Sequence, residues 1–192
     1  MNSWIVKESE PLTLAEMENN VAILWNFFGS SGWSANAVAA LAGNMEAEST
    51  INPGRWESDI IGNLSGGFGL VQWTPATKFR EWVDSTYGNR DYTNGEYQMQ
   101  RVVWEMNNNT QFYPTSAYPE SFPEWSVSTK APGYLAEAFL INYERPSDQS
   151  LSVKAYRAKL ANKWYEYITG LPAPNYLAIP IWLLFKFKKG VV

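Results

Sequence analysis

The segment Gly43-Asn44-Met45-Glu46-Ala47-Glu48-Ser49-Thr50-Ile51-Asn52-Pro53-Gly54 begins as the end of an apolar-periodic helix and finishes in a turn of Asn, Pro and Gly. Val38, Leu41, Ala42 and Met45 mark the buried face of that helix. Counted from Leu41 at about 100° per residue, Glu48 returns to within roughly 20° of this face, whereas Glu46 lies about 140° away. The pattern predicts a solvated Glu46 and a Glu48 that emerges at the edge of the core. Apolar surroundings penalise an ionised carboxyl, and general acid catalysis near neutral pH needs a carboxyl that holds its proton.

The chain has 192 residues, 45% of them hydrophobic, which is enough for the core of one ordinary domain. Its ten Trp and eleven Tyr exceed what packing alone requires. Most belong in a core, and the remainder suit a groove that stacks flat ligands such as sugar rings. Cysteine and histidine are both absent. That removes disulfides, Cys nucleophiles, Ser-His-Asp triads and His-ligated zinc, so no metal or cofactor is expected. The chemistry falls to carboxylates, hydroxyls, amides, Tyr, Lys and Arg. A net charge of −4, with no basic stripe before the extreme C-terminus, argues against a nucleic-acid partner. Glu8, Glu10, Glu16 and Glu18 precede the apolar patch at 21–28, the reverse of a Sec signal's order, so no signal peptide is expected.

Read in order, residues 1–11 form a loose leader, 12–170 a folded domain and 171–192 a tail. Thr13 and Glu16 make a capping box for a first helix with Met17, Val21, Leu24, Trp25 and Phe28 on one face. Ser34 caps the second helix. From Ile51 to Trp73 the helical period is lost among glycines, and a small β-hairpin lobe is expected, with Ile60-Ile61 and 68–73 as its apolar pieces. Thr74-Pro75 reads as the start of a third helix with Phe79, Trp82 and Val83 inward. Further helices are expected at about 96–106, 132–143 and 150–169, with a short one near 123–127. The last long helix carries Val153, Tyr156, Leu160, Trp164 and Tyr167 as its stripe. The fold class is α+β, mostly α. The tail's apolar run at 176–185, broken by Pro180 and followed by lysines, is too short to span a bilayer. It packs back on the domain, docks into a larger assembly, or touches a membrane surface.

Glu48-Ser49, then Asn52-Pro53-Gly54, then Gly69-Leu70-Val71-Gln72-Trp73-Thr74-Pro75 together resemble the phage tail lysozyme family. More distantly, they resemble goose-type lysozymes and soluble lytic transglycosylases, where Met stands in the place of Val71. Gly43-Asn44-Met45 and the run from Phe139 to Pro146 extend the likeness, which covers about 12–169. The resemblance implies a lysozyme-like fold in a phage tail protein of the virion, acting on bacterial peptidoglycan outside the cell. It also implies cleavage between N-acetylmuramic acid and N-acetylglucosamine, with Glu48 as the acid that protonates the glycosidic oxygen. The tail lies outside the likeness and is the expected contact to other phage tail proteins.

Glycosidases commonly pair two carboxylates, and Glu57, Asp59 and Glu144 are the candidates for a second one. Gly69 is placed to let backbone amides approach a sugar, and Gln72 to hydrogen-bond an N-acetyl or hydroxyl group. Trp73 suits either a sugar platform or the core. Tyr143 offers a hydroxyl to an acetamido group. Asn142 shares an apolar stripe and needs a partner in substrate or backbone. Glu144 stands beside Arg145 as a substrate contact or one half of a salt bridge. Two rivals remain: a lytic transglycosylase, and a non-catalytic wall-binding or structural tail protein.

Overall fold

Local capping sets where the helices start. The computed structural model describes residues 3–88 and 91–174, and within them the protein is mostly helical. Helix α1 (Leu14–Leu24) opens on the Thr13–Glu16 capping box, buries Met17, Val21 and Leu24, and runs on into a π turn, Trp25–Gly29, that buries Phe28. Helix α2 (Ala35–Ser49) starts where the Ser34 hydroxyl accepts from the Ala37 amide. It is buried continuously from Ala37 to Met45, as an Ala-rich helix that is apolar all round must be.

Around α2 lie α6 (Pro132–Phe139), its π-turn extension Leu140–Glu144, and α7 (Leu151–Thr169). Gly43 permits the close crossing with α7, because a Cβ there would stand 2.6 Å from the backbone nitrogen of Ala161. The short helix α5 (Phe122–Val127), capped by Ser121 and Glu124, packs Phe122 and Trp125 on Trp33 and Phe139. Helices α3 (Thr77–Tyr87) and α4 (Gly95–Asn107) form a second pair that buries Phe79, Trp82, Val83, Met99, Val102 and Val103.

Several sequence expectations are revised. Among the described residues no strand forms between α2 and α3. Single antiparallel bridges join Trp56 to Phe68 and Phe68 to Trp73, and Ile60 and Ile61, expected as strand pieces, are 57% and 56% exposed. The segment is held by side chains reaching backbone rather than by a ladder. Thr74 does not cap α3. The Ala76 amide is engaged by the Gly66 carbonyl (2.8 Å), which keeps this stretch tied to the lobe, and the helix starts at Thr77.

The leader is stitched down rather than loose. Asn20 bonds both backbone groups of Ile5 (2.9 Å each), and Asn52 bonds both of Lys7 and the carbonyl of Glu10. On α7 the buried stripe is Arg157, Leu160, Ala161, Trp164 and Ile168, while Tyr156 is exposed. The face turned inward is the one that meets α2 at Gly43. After α7 the chain returns to α1, where the Trp25 indole donates to the Pro172 carbonyl (3.1 Å). The alternatives weighed for the tail's apolar run fall outside the described residues. No described helix is long and apolar enough to cross a membrane.

Candidate active site

α2 stops abruptly after Ser49. Thr50 and Ile51 both take left-handed backbone (φ 54° and 55°), a conformation that costs a β-branched residue roughly 1–3 kcal/mol. Buried bonds from several directions hold it. The Thr50 amide donates to the Glu46 carbonyl (2.9 Å) and the Ile51 amide to that of Met45 (3.2 Å). Asn20 donates to the Ile51 carbonyl (3.0 Å), and the Thr50 hydroxyl accepts from the Leu12 amide (3.0 Å). The Ser49 hydroxyl donates to the Leu70 carbonyl (3.0 Å), tying the helix end to the lobe. The end of α2, and Glu48 with it, is thereby fixed.

Glu48 lines a cleft of about 510 Å³, a volume suited to a small ligand. Its side chain is 22% exposed. The lobe contributes Arg55, Trp56, Glu57, Ser58, Val71, Gln72, Trp73 and Thr74, and the π turn after α6 contributes Tyr143 and Glu144. Glu48 is bound by a residue the sequence reading missed. Arg157 on α7 donates Nη2 to Glu48 and Nη1 to the Asn44 carbonyl (2.8 Å), and the same Nη2 lies 3.5 Å from Glu144. The signal for Arg157 was in the sequence: it is a charge in phase with Leu160, Ala161 and Trp164.

Glu144 is the buried acid of the site. Both of its carboxyl oxygens are sealed from solvent and accept from no donor among the described residues. Burial, reinforced by the Glu48 carboxylate beside it, pushes its pKa well above the usual carboxylate range, against the pull of Arg157. Its neighbour Tyr143 stacks on Phe139 and donates its hydroxyl to Glu105. Glu105 also accepts from Arg101 Nε (2.9 Å) and the Trp73 indole (3.1 Å). Burial pushes Glu105 up despite these donors.

Glu46 is not solvated. It accepts from Lys163 Nζ (2.5 and 2.6 Å) and the Trp164 indole (2.7 Å), because α7 covers that face of α2 as well.

The remaining expected residues divide clearly. Glu57 lines the cleft and accepts from the Gly67 amide (2.6 Å). Asp59 points elsewhere, toward Arg55 and the Ser9 hydroxyl. Gly69 (φ 80°) has its amide on the Arg55 carbonyl (2.8 Å), and a Cβ there would meet Gln98 at 2.6 Å. Gln98, fully buried, accepts from the Leu70 amide (2.8 Å) and donates to the carbonyls of Pro53 (2.7 Å) and Tyr92 (2.9 Å). The Gln72 amide donates to the carbonyls of Gly69 and Arg55. Trp73 is 3% exposed and stacks on Phe79, so only an edge reaches the cleft. Asn142 is buried, donating to the Tyr118 carbonyl (2.9 Å) and accepting from Thr115 (3.1 Å). Trp56, a partly exposed ring on the cleft wall, was not singled out from sequence. Among the described residues no group of acidic side chains is arranged to hold a metal ion.

The phage tail lysozyme family profile matches residues 19–168. Morphogenesis protein 1 of Bacillus phage B103 is 40% identical over 159 residues, which cover 83% of this chain and 42% of that protein. The chain thus spans well under half the length of this relative.

Proposed function

This chain belongs to the phage tail lysozyme family, and from that premise we propose that it cleaves the glycan of bacterial peptidoglycan between N-acetylmuramic acid and N-acetylglucosamine. The observation that carries this reading is the placement of Glu48. A fixed helix end presents its carboxyl to a cleft, beside a second carboxyl that is buried. Glu48 protonates the glycosidic oxygen as the C1–O bond breaks. Glu57, on the lobe side of the cleft, is the second carboxylate that would steady the developing positive charge or direct a water. Trp56 supplies flat apolar surface for a sugar ring. The helical body and irregular lobe then correspond to a lysozyme-like fold. Local wall degradation by a virion tail is the setting, with other tail proteins as partners of the tail segment.

Replacing Glu48 by Gln tests the reading. Loss of a general acid lowers the rate about 10²–10⁴-fold, so clearing of purified peptidoglycan by Glu48→Gln falls to near background while its thermal melting stays close to wild type. Undiminished clearing sinks the mechanism and favours a binding or structural role. Mass spectrometry of the released muropeptides separates the two chemistries. A product completed by water is a reducing sugar, whereas attack by the muramic 6-hydroxyl gives a 1,6-anhydro product lighter by one water.

A further inference from the structure

We propose that Glu144 is a positioning residue for Glu48. The two carboxyls share one proton over the guanidinium of Arg157, with Glu144 as the buried holder and Glu48 as the member that meets substrate. This rests on the reading of Glu48 as the acid.

The geometry leaves Glu144 few alternatives. A buried ionised carboxylate normally accepts several short bonds, yet among the described residues neither Glu144 oxygen accepts any, and Arg157, the cation paired with it there, stands at 3.5 Å. That neighbour, Arg157 Nη2, is already bonded to Glu48. One guanidinium compensates one carboxylate, and a second buried negative charge would stand alone. A proton on Glu144 removes the uncompensated charge and turns it into an O–H donor toward Glu48. Other charged groups line the same cleft. Arg145 is engaged by the Gln111 and Asn142 carbonyls and the Tyr113 ring, and Arg55 pairs Nη2 with Asp59 while its buried Nη1 has no partner among the described residues. Glu57 and Lys78 lie on the cleft wall, and the Arg101–Glu105 pair lies beyond the Tyr143 hydroxyl.

The arrangement supplies a balanced proton cycle. The proton passes from Glu144 to Glu48 while the ion pair of Arg157 passes from Glu48 to Glu144, so the net charge of the three groups does not change. Glu48 then gives the proton to the leaving oxygen. It recovers one from the water or 6-hydroxyl that attacks C1, and the proton returns to Glu144. The same guanidinium faces both carboxyls, bonded to Glu48 and 3.5 Å from Glu144, so the charge that moves with the proton stays beside a cation.

The test is the pH–rate profile of Glu144→Gln on purified peptidoglycan, alongside wild type and Glu48→Gln. The amide cannot hold the shared proton and leaves Glu48 facing Arg157 alone, a cation that favours the carboxylate. The alkaline limb of the profile therefore moves to lower pH, with a rate deficit of about tenfold at neutral pH for each unit of displacement, and the deficit closes as the pH is lowered. A profile that coincides with wild type, or one lowered equally at every pH, overturns the role of Glu144 even though Glu48→Gln is inactive. An active Glu48→Gln instead overturns the underlying reading. Should Glu144→Gln not fold, infrared spectroscopy of the two folded proteins decides. At neutral pH wild type shows the carbonyl stretch of a protonated carboxylic acid, which is lost in Glu48→Gln because Arg157 then has Glu144 alone to compensate and that carboxyl gives up its proton. A spectrum that does not respond to Glu48→Gln overturns the shared proton.

Discussion

Arg157→Met removes the cation of the site while keeping much of its volume. The side chain is 9% exposed, and its loss frees the Asn44 carbonyl and the Glu48 carboxylate and removes the ion pair to Glu144. Taking one partner from a buried ion pair costs about 3–5 kcal/mol. Glu48 is 22% exposed, so water screens that leg, and the lower end, about 3 kcal/mol near pH 7, is the expected loss. The loss depends on pH with a defined sign. Without the guanidinium the pull that opposes burial at Glu144 is gone, so this carboxyl binds its proton more tightly still in the folded than in the unfolded chain, and stability falls as pH rises above the unfolded carboxyl range. Each extra proton bound in the fold steepens the fall by about 1.4 kcal/mol per pH unit. Urea unfolding followed by Trp fluorescence, near pH 5 and near pH 8, measures this. The variant loses more at the higher pH, with an unchanged m value. Placed in a Glu144→Gln background, the same substitution costs less, because one of the two carboxyls is already gone. An equal loss at both pH values, or a loss below about 1 kcal/mol, would refute the shared-cation account.

The crossing of α2 and α7 is tested by Gly43→Ala, whose Cβ would meet backbone atoms of Ala161 at 2.6 and 2.9 Å. Overpacking of this kind costs about 1–3 kcal/mol, and clearing activity falls with the melting temperature because Arg157 rides on the displaced helix. An unchanged melting temperature contradicts the close crossing. Glu46→Gln keeps an oxygen for the Trp164 indole and loses an ion pair to a lysine that is 39% exposed. It costs about 0–1 kcal/mol and leaves activity per folded molecule unchanged, measured by clearing rate against folded fraction. Tyr143→Phe removes a donor to buried Glu105 and costs about 1–3 kcal/mol. Glu105 is already pushed up by burial and loses support for its ionised form, so denaturant unfolding shows a larger deficit near pH 8 than near pH 5.

Local features were the legible ones. Thr13 with Glu16, and Ser34, cap helices within a few residues of themselves, and Phe79, Trp82 and Val83 mark a face within a few turns. The lobe resisted because its order comes from afar. Asn52 reaches Lys7, Ser49 reaches Leu70, and Gln98 reaches both Leu70 and Pro53. No period or propensity encodes such bonds. On α7, aromatic residues on several sides blur the stripe, and the phase was misread by about one residue. That error hid Arg157, which lies 109 residues from its partner Glu48, and it also hid the cover over Glu46. The phase counted from Leu41 did not separate the two acids, because α2 is buried all round and the Glu46 side chain is 13% exposed against 22% for Glu48.

Glu48 and Glu144 reach the cleft in the same way, each at the C-terminal end of a helix. Glu48 lies in the last turn of α2, and Glu144 closes the π turn that extends α6. These ends carry the partial negative charge of the helix dipole and stand opposed to carboxylates. The π turn adds to the effect by setting Tyr143 and Glu144 side by side on one wall, then handing the chain to Arg145 in left-handed backbone (φ 51°). Both acids therefore sit where a helix favours a cation, and the cation they find comes from the middle of a third helix. Arg157 is held there by the Asn44 carbonyl of α2 and by the close passage at Gly43. A site that favoured ionised acids would place them at helix N-termini. This one offers two acids one positive charge, which is the condition under which a proton is retained.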